Sequence, residues 1–139
     1  PSASIFTIGD HVTINTDTDN FIAYCFHSVE GYSKIGSWVD AGDVDGTFIY
    51  CGFRPAWLLC KTTNASGQRW HMYDDKRDPY NVEVHKLDAS SSDVESEAAA
   101  DDGGIDFVSN GFKIRGTDFS TNMLFMAFAQ SPFKYSNAR

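Results

Sequence analysis

Glycoside hydrolysis on a β-rich scaffold needs two carboxyl groups across a groove, one to attack or activate water and one to protonate the leaving oxygen. The chain has four glutamates, Glu30, Glu83, Glu95 and Glu97, and no Glu-x-Asp-x-x-Glu run that would set paired acids on one strand. A dyad would have to be assembled from distant segments, so no catalytic residues are assigned and an enzyme is not expected. His11, His27, His71 and His85 could each pair with some Ser and Asp, but no Gly-x-Ser-x-Gly elbow frames a nucleophile. Asp40, Asp43 and Asp45 cluster oxygen ligands of the kind Ca²⁺ takes, as do Asp17 and Asp19. The 40–46 run lacks the opening acid and the closing bidentate Glu of an EF-hand loop, and it reads as a solvated turn. No cofactor is expected. Asn64-Ala65-Ser66 is a formal glycosylation sequon that reads here as a hairpin turn.

Binding chemistry is better represented. Sugar recognition needs an aromatic stacking face beside hydrogen-bond donors and acceptors. Trp70, Tyr73, Asp74, Arg77 and Tyr80 lie in the one stretch that interleaves aromatic rings with both signs of charge, and they form the candidate ligand site. The plainer alternative for that stretch is a surface strand and turn held by Arg–Asp pairs. Trp57 leads an apolar strand and is expected in the core.

Such residues need a scaffold, and the pattern predicts an all-β one. Alternating and β-branched or aromatic segments recur every 8 to 14 residues or so, separated by turn sequences. Candidate strands are 4–7, 11–15, 20–27, 34–39, 47–53, 56–62, 68–74, 82–87, 105–109, 112–115 and 123–129. Asn110-Gly111 is the strongest hairpin signal, because both residues accept the positive φ of a type I′ turn. Residues 21–26 and 125–129 are apolar at every position, so both are expected as interior strands in one core, paired or adjacent. Residues 89–104 hold five acids and one large apolar side chain, which predicts an exposed acidic loop. The expected architecture is a single antiparallel β-sandwich domain over residues 1–139, of jelly-roll or concanavalin A-like type.

Composition narrows the partners. With 139 residues the chain is one domain long, and its formal charge of −8 works against phosphate-backbone attraction, so nucleic acid is not expected. No apolar run reaches the roughly 18 residues of a membrane span and no basic stretch leads into an apolar one, so membrane insertion and a signal peptide are not expected either. Cys25, Cys51 and Cys60 each sit among apolar neighbours, which predicts three buried, reduced thiols. The start at Pro1 suggests a fragment of a larger protein.

Residues 21–38, Tyr50-Cys-Gly-Phe-Arg-Pro-Ala-Trp57, Arg77-Asp-Pro-Tyr-Asn81, Ile105-Asp-Phe-Val-Ser-Asn-Gly-Phe-Lys113 and residues 126–139 resemble a domain of unknown function found in marine bacteriophage and prophage structural proteins. The resemblance spans nearly the whole chain. It implies a place at the C-terminal end of a longer virion or tail-fibre-like protein, often beside a SPRY or lectin-like β-sandwich. Other virion proteins or a host-surface glycan would be the partners, a homo-oligomer could form, and the virion would be the location after synthesis in the host cytoplasm. The resemblance supplies no catalytic residue.

Overall fold

A computed structural model describes residues 5–98, 103–117, 119 and 122–131. The described residues form nine strands: β1 Ser33–Val39, β2 Phe48–Tyr50, β3 Pro55–Thr62, β4 His71–Asp74, β5 His85–Asp88, β6 Ser96–Glu97, β7 Gly104–Val108, β8 Gly111–Arg115 and β9 Asn122–Ala129. A six-stranded sheet in the order β1-β9-β3-β4-β5-β6 packs against a three-stranded sheet in the order β2-β8-β7, and every pairing is antiparallel. This is the expected β-sandwich. Among the described residues no helix is long and apolar enough to cross a membrane.

Period-two patterning decides which side chains meet. Along β9, Met123, Phe125 and Ala127 are buried, and along β3, Leu58 and Cys60 are fully enclosed. β9 lies between β1 and β3, so its inward residues occupy the middle of the large sheet, as expected for 123–129. The sheets are joined by edge-on ring contacts from Phe112 of β8 to Trp38 at 5.6 Å and to Phe125 at 5.2 Å. Gly36 stands opposite Phe125 in the register, and a Cβ there would come within 3.0 Å of the ring. A side chain at this position would have to displace the Phe125 ring by a few tenths of an ångström.

Residues 21–26 are not an interior strand. They belong to no strand, and Phe21, Ile22, Tyr24 and Phe26 are exposed, Ile22 by 80%. A hairpin begins at the Val29–Ser33 bridge, but the Ser28 hydroxyl then accepts from the Ile35 N–H at 3.0 Å and donates to its carbonyl at 3.3 Å. The β1 edge is thus occupied by a side chain where the next backbone pair would form. Cys25 is consequently exposed, whereas Cys51 and Cys60 are buried as expected; all three thiols are free. Residues 5–7 form no strand, and 11–15 form a turn in which the His11 carbonyl accepts from Ile14 and Asn15.

Two loops also differ from expectation. The β7–β8 turn is Ser109-Asn110, because Val108 pairs with Gly111. Gly111 is required for closeness instead of φ: a Cβ there would lie 2.0 Å from the Ile49 carbonyl oxygen. Residues 89–97 are largely exposed, as expected, but the stretch is tied to the body. β6 pairs with β5, Ala98 is buried, Arg77 Nε meets Glu95 at 2.8 Å, and Arg69 pairs with Asp93. Residues 99–102 lie outside the described residues.

Two outcomes follow for thermal unfolding. Ala127→Arg should prevent folding or lower Tm by more than about 10 °C, since an unpaired buried charge costs several kcal/mol, while Ala23→Arg should leave Tm unchanged. Replacing residues 90–98 by a short Gly linker should lower Tm by at least about 5 °C, because β6 and the Arg77–Glu95 contact are lost.

Candidate ligand groove

The five residues expected to form a ligand site are not brought together. Tyr73 faces inward on β4 and is fully buried, its hydroxyl donating to the Gly103 carbonyl at 3.1 Å. An enclosed ring cannot act as a stacking platform, so Tyr73 leaves the site. Asp74 accepts from the Arg77 backbone N–H at 2.9 Å and pairs with its guanidinium at 3.1 Å. That is the Arg–Asp surface turn of the plainer reading. Tyr80 is 84% exposed beyond this turn. Trp70 lies on the outer face of the large sheet with the Lys61 ammonium 5.4 Å above its ring, and lines an apolar hollow of about 510 Å³ with Tyr24, Phe26, Leu59 and Leu124.

The acids of the 40–46 turn are engaged by its own backbone and by β8 cations, except that the buried Asp40 Oδ1 has no hydrogen-bond partner among the described residues. Buried Asp40 accepts from the Gly42 N–H at 3.0 Å, and Asp43 accepts from the Asp45 N–H at 3.2 Å. Asp45 meets both Lys113 Nζ and Arg115 Nη1 at 2.6 Å, and the Lys113 contact holds its carboxyl below the usual carboxylate range. Among the described residues no group of three or more His, Cys, Asp or Glu side chains is placed to hold a metal ion.

A groove of about 530 Å³ opens where the turn before β1 faces the corner after β2. One wall is Ser28 to Gly31 with Ser33 and Lys34; the other is Tyr50 to Phe53, and Ser131 closes one end. The first wall is held by the Val29–Ser33 bridge, by Val29 N–H donating to Ser33 Oγ at 3.2 Å, and by Ser33 Oγ donating to the His27 carbonyl at 3.1 Å. The second is fixed to the β7–β8 turn, where the Asn110 carbonyl accepts from Cys51 and Gly52 at 2.9 and 3.0 Å. Both walls therefore hang on backbone hydrogen bonds of rigid elements.

Tyr50 is the exposed aromatic of this groove, at 63%. The alternation of β2 buries Ile49 and turns Phe48 and Tyr50 outward. Next to them on the same face, Lys113 stands opposite Phe48, and Arg115 joins Asp45 to Asp106, each at 2.6 Å. Aromatic rings among both signs of charge thus occur on β2 and β8, away from residues 70–80. Sequence reading missed this face because Asp45 and Arg115 are 70 residues apart. The Phe48-Ile49-Tyr50 alternation was the available signal.

The groove offers few groups that could do chemistry. Glu30 is the one carboxylate among its described lining residues, with Lys34, Ser28 and Ser131 as further polar groups. Cys51 also lines it, but burial pushes its thiol up to about 12, which leaves no thiolate to act as nucleophile. Since the turn acids are already engaged, Ca²⁺ at about 5 mM, above the affinity of weak extracellular sites, should move Tm by less than about 1 °C. Differential scanning fluorimetry with and without the ion checks this.

Comparison with curated proteins and with solved structures gives no match. Residues 1–132 match the family described as Domain of unknown function (DUF7483), and the chain belongs to that family.

Proposed function

We propose that this chain is a non-catalytic recognition domain of a phage virion or tail-fibre-like structural protein, and that it attaches to host-surface glycan through the groove beside Tyr50. The observation that carries the reading is an exposed Tyr50 ring next to the polar wall of Ser28, Glu30 and Lys34 in a groove large enough for a sugar unit. An aromatic face supplies stacking area, while the hydroxyl, carboxylate and ammonium groups supply the directional bonds that separate one sugar from another. The single lining carboxylate favours binding over hydrolysis, which requires two. The resemblance to phage structural proteins supports the virion setting.

Contact with other virion proteins is the second reading, and a different surface favours it. Ile5, Phe6, Ile8, Val12, Ile14 and the 21–26 segment expose many large apolar side chains. Large apolar side chains left exposed in such number favour a protein interface.

A glycan array followed by titration tests the first reading. The wild type should bind a defined set of oligosaccharides, and Tyr50→Ala should weaken binding at least about tenfold with Tm unchanged, whereas Trp70→Ala should bind like the wild type. Equal binding by Tyr50→Ala would remove the site. Release of reducing sugar by the wild type would remove the non-catalytic assignment.

A further inference from the structure

Glu83 lies outside the groove. It is 0% exposed, and among the described residues neither carboxyl oxygen has a hydrogen-bond partner. The charged groups around it are mainly of its own sign: Asp74 at the end of β4 and Asp75 and Asp78 from the turn after it, against Arg54 from the corner before β3. Arg54 is already 3.5 Å from Asp75. Asp106, on neighbouring β7, is engaged by Arg115. A carboxylate left unpaired in such a place is costly, and the group stays neutral instead.

The backbone around Glu83 does a definite job. β7 pairs with β8 on one side, and its other edge is covered by residues 81–83. Glu83 exchanges both backbone hydrogen bonds with Ile105, at 2.8 and 3.0 Å. The Asn81 side chain mimics a further pair, accepting from the Phe107 N–H at 2.9 Å and donating to the Phe107 carbonyl at 3.1 Å. Asp78 folds the segment back by accepting from the Val84 and His85 N–H groups at 2.8 and 2.7 Å and by meeting the His85 ring at 2.7 Å. An uncovered strand edge is a template for pairing with another chain.

We propose that residues 78–85 form a proton-held guard of the β7 edge: the segment stays seated while Glu83 is neutral and lifts when that carboxyl ionises, opening the Ile105 and Phe107 backbone to another strand. Burial, reinforced by the charge of Asp78, pushes the Glu83 carboxyl up to about 8 from its ordinary 4.5. With the closed-state value raised, the stabilisation is complete below the open-state value and is lost as pH rises from 4.5 towards 8. The open population then grows about tenfold per pH unit across that window and levels off above it. His85 adds in the same direction, because the hydrogen bond to Asp78 raises its affinity for a proton and the charged contact fades as pH rises.

Amide hydrogen exchange on the whole chain, corrected for its intrinsic pH dependence, tests the device. Between pH 5.5 and 7.5 the protection of the Glu83 and Ile105 amides should fall about 100-fold in the wild type and less than about threefold in Glu83→Gln, the remainder belonging to His85. Glu83→Leu, which has no group to titrate and no amide to satisfy, should behave as Glu83→Gln does and serves if that variant fails to fold. At pH 7.5, exchange of the wild-type Ile105 amide should be nearly independent of low urea concentrations, while that of Ala127 should rise steeply, as local and global opening require. Equal pH dependence in wild type and variants would overturn the role of Glu83. Equal urea dependence at Ile105 and Ala127 would show that the proton is linked to the whole fold, and would overturn the guard.

Discussion

The contact on which the rest of the domain depends is the meeting of Phe112, Trp38 and Phe125 between the two sheets. Phe112 comes from the three-stranded sheet, and the other two rings come from adjacent strands of the six-stranded one. Edge-on aromatic pairs contribute about 0.5–1.5 kcal/mol each beyond the area they bury, so this cluster fixes the sheets' relative placement as well as excluding water. Its geometry sets local demands: a Cβ on Gly36 would meet the Phe125 ring at 3.0 Å, so any side chain there requires that ring to give way. The β7–β8 turn, once placed by this packing, holds the Tyr50 to Phe53 corner through the Asn110 carbonyl. The groove is therefore a by-product of where the core sets the sheet edges.

Much of the scaffold was legible in the sequence. Strands at 34–39, 56–62, 105–109, 112–115 and 123–129 fall within a residue of β1, β3, β7, β8 and β9, because alternation over half-buried positions is a local signal. Residues 21–26 show where that signal stops. Their uniform hydrophobicity asks for cover without saying what supplies it, and a single serine, Ser28, takes the backbone groups that a hairpin partner would have used. The acidic stretch at 89–97 is exposed, as its charge suggested, but what composition did not show is that Glu95 and Asp93 tie it to the body through Arg77 and Arg69. The candidate site was the least legible feature. Residues 70–80 had the right composition, yet strand alternation turned Tyr73 inward and left Asp74 and Arg77 bonded to each other. The aromatic and charged face on β2 and β8 is assembled by pairing alone.

Electrostatics divide the molecule into a wet part and a dry part. The ion pairs of Asp45 with Lys113 and Arg115 sit at the surface, where such pairs add little stability, while the Arg115–Asp106 pair reaches a buried carboxylate. The interior holds Glu83, whose burial makes it a neutral acid near pH 7. The formal charge of −8 counts Glu83 as ionised, so its protonation removes one of those negative charges from the fold. The proposed recognition groove and the proposed guard of the β7 edge thus rest on different physics, the first on exposed aromatic area beside polar groups and the second on desolvation.

The central claim is that ligand recognition belongs to the groove bounded by the turn before β1 and the corner after β2. Backbone amide chemical shifts recorded during titration with the oligosaccharides of a glycan array measure it residue by residue. The account predicts that the perturbed amides concentrate at Ser28 to Lys34, Tyr50 to Phe53 and Ser131. Perturbations concentrated instead around Trp70 and Tyr80, or an absence of saturable shifts with every oligosaccharide, would contradict it.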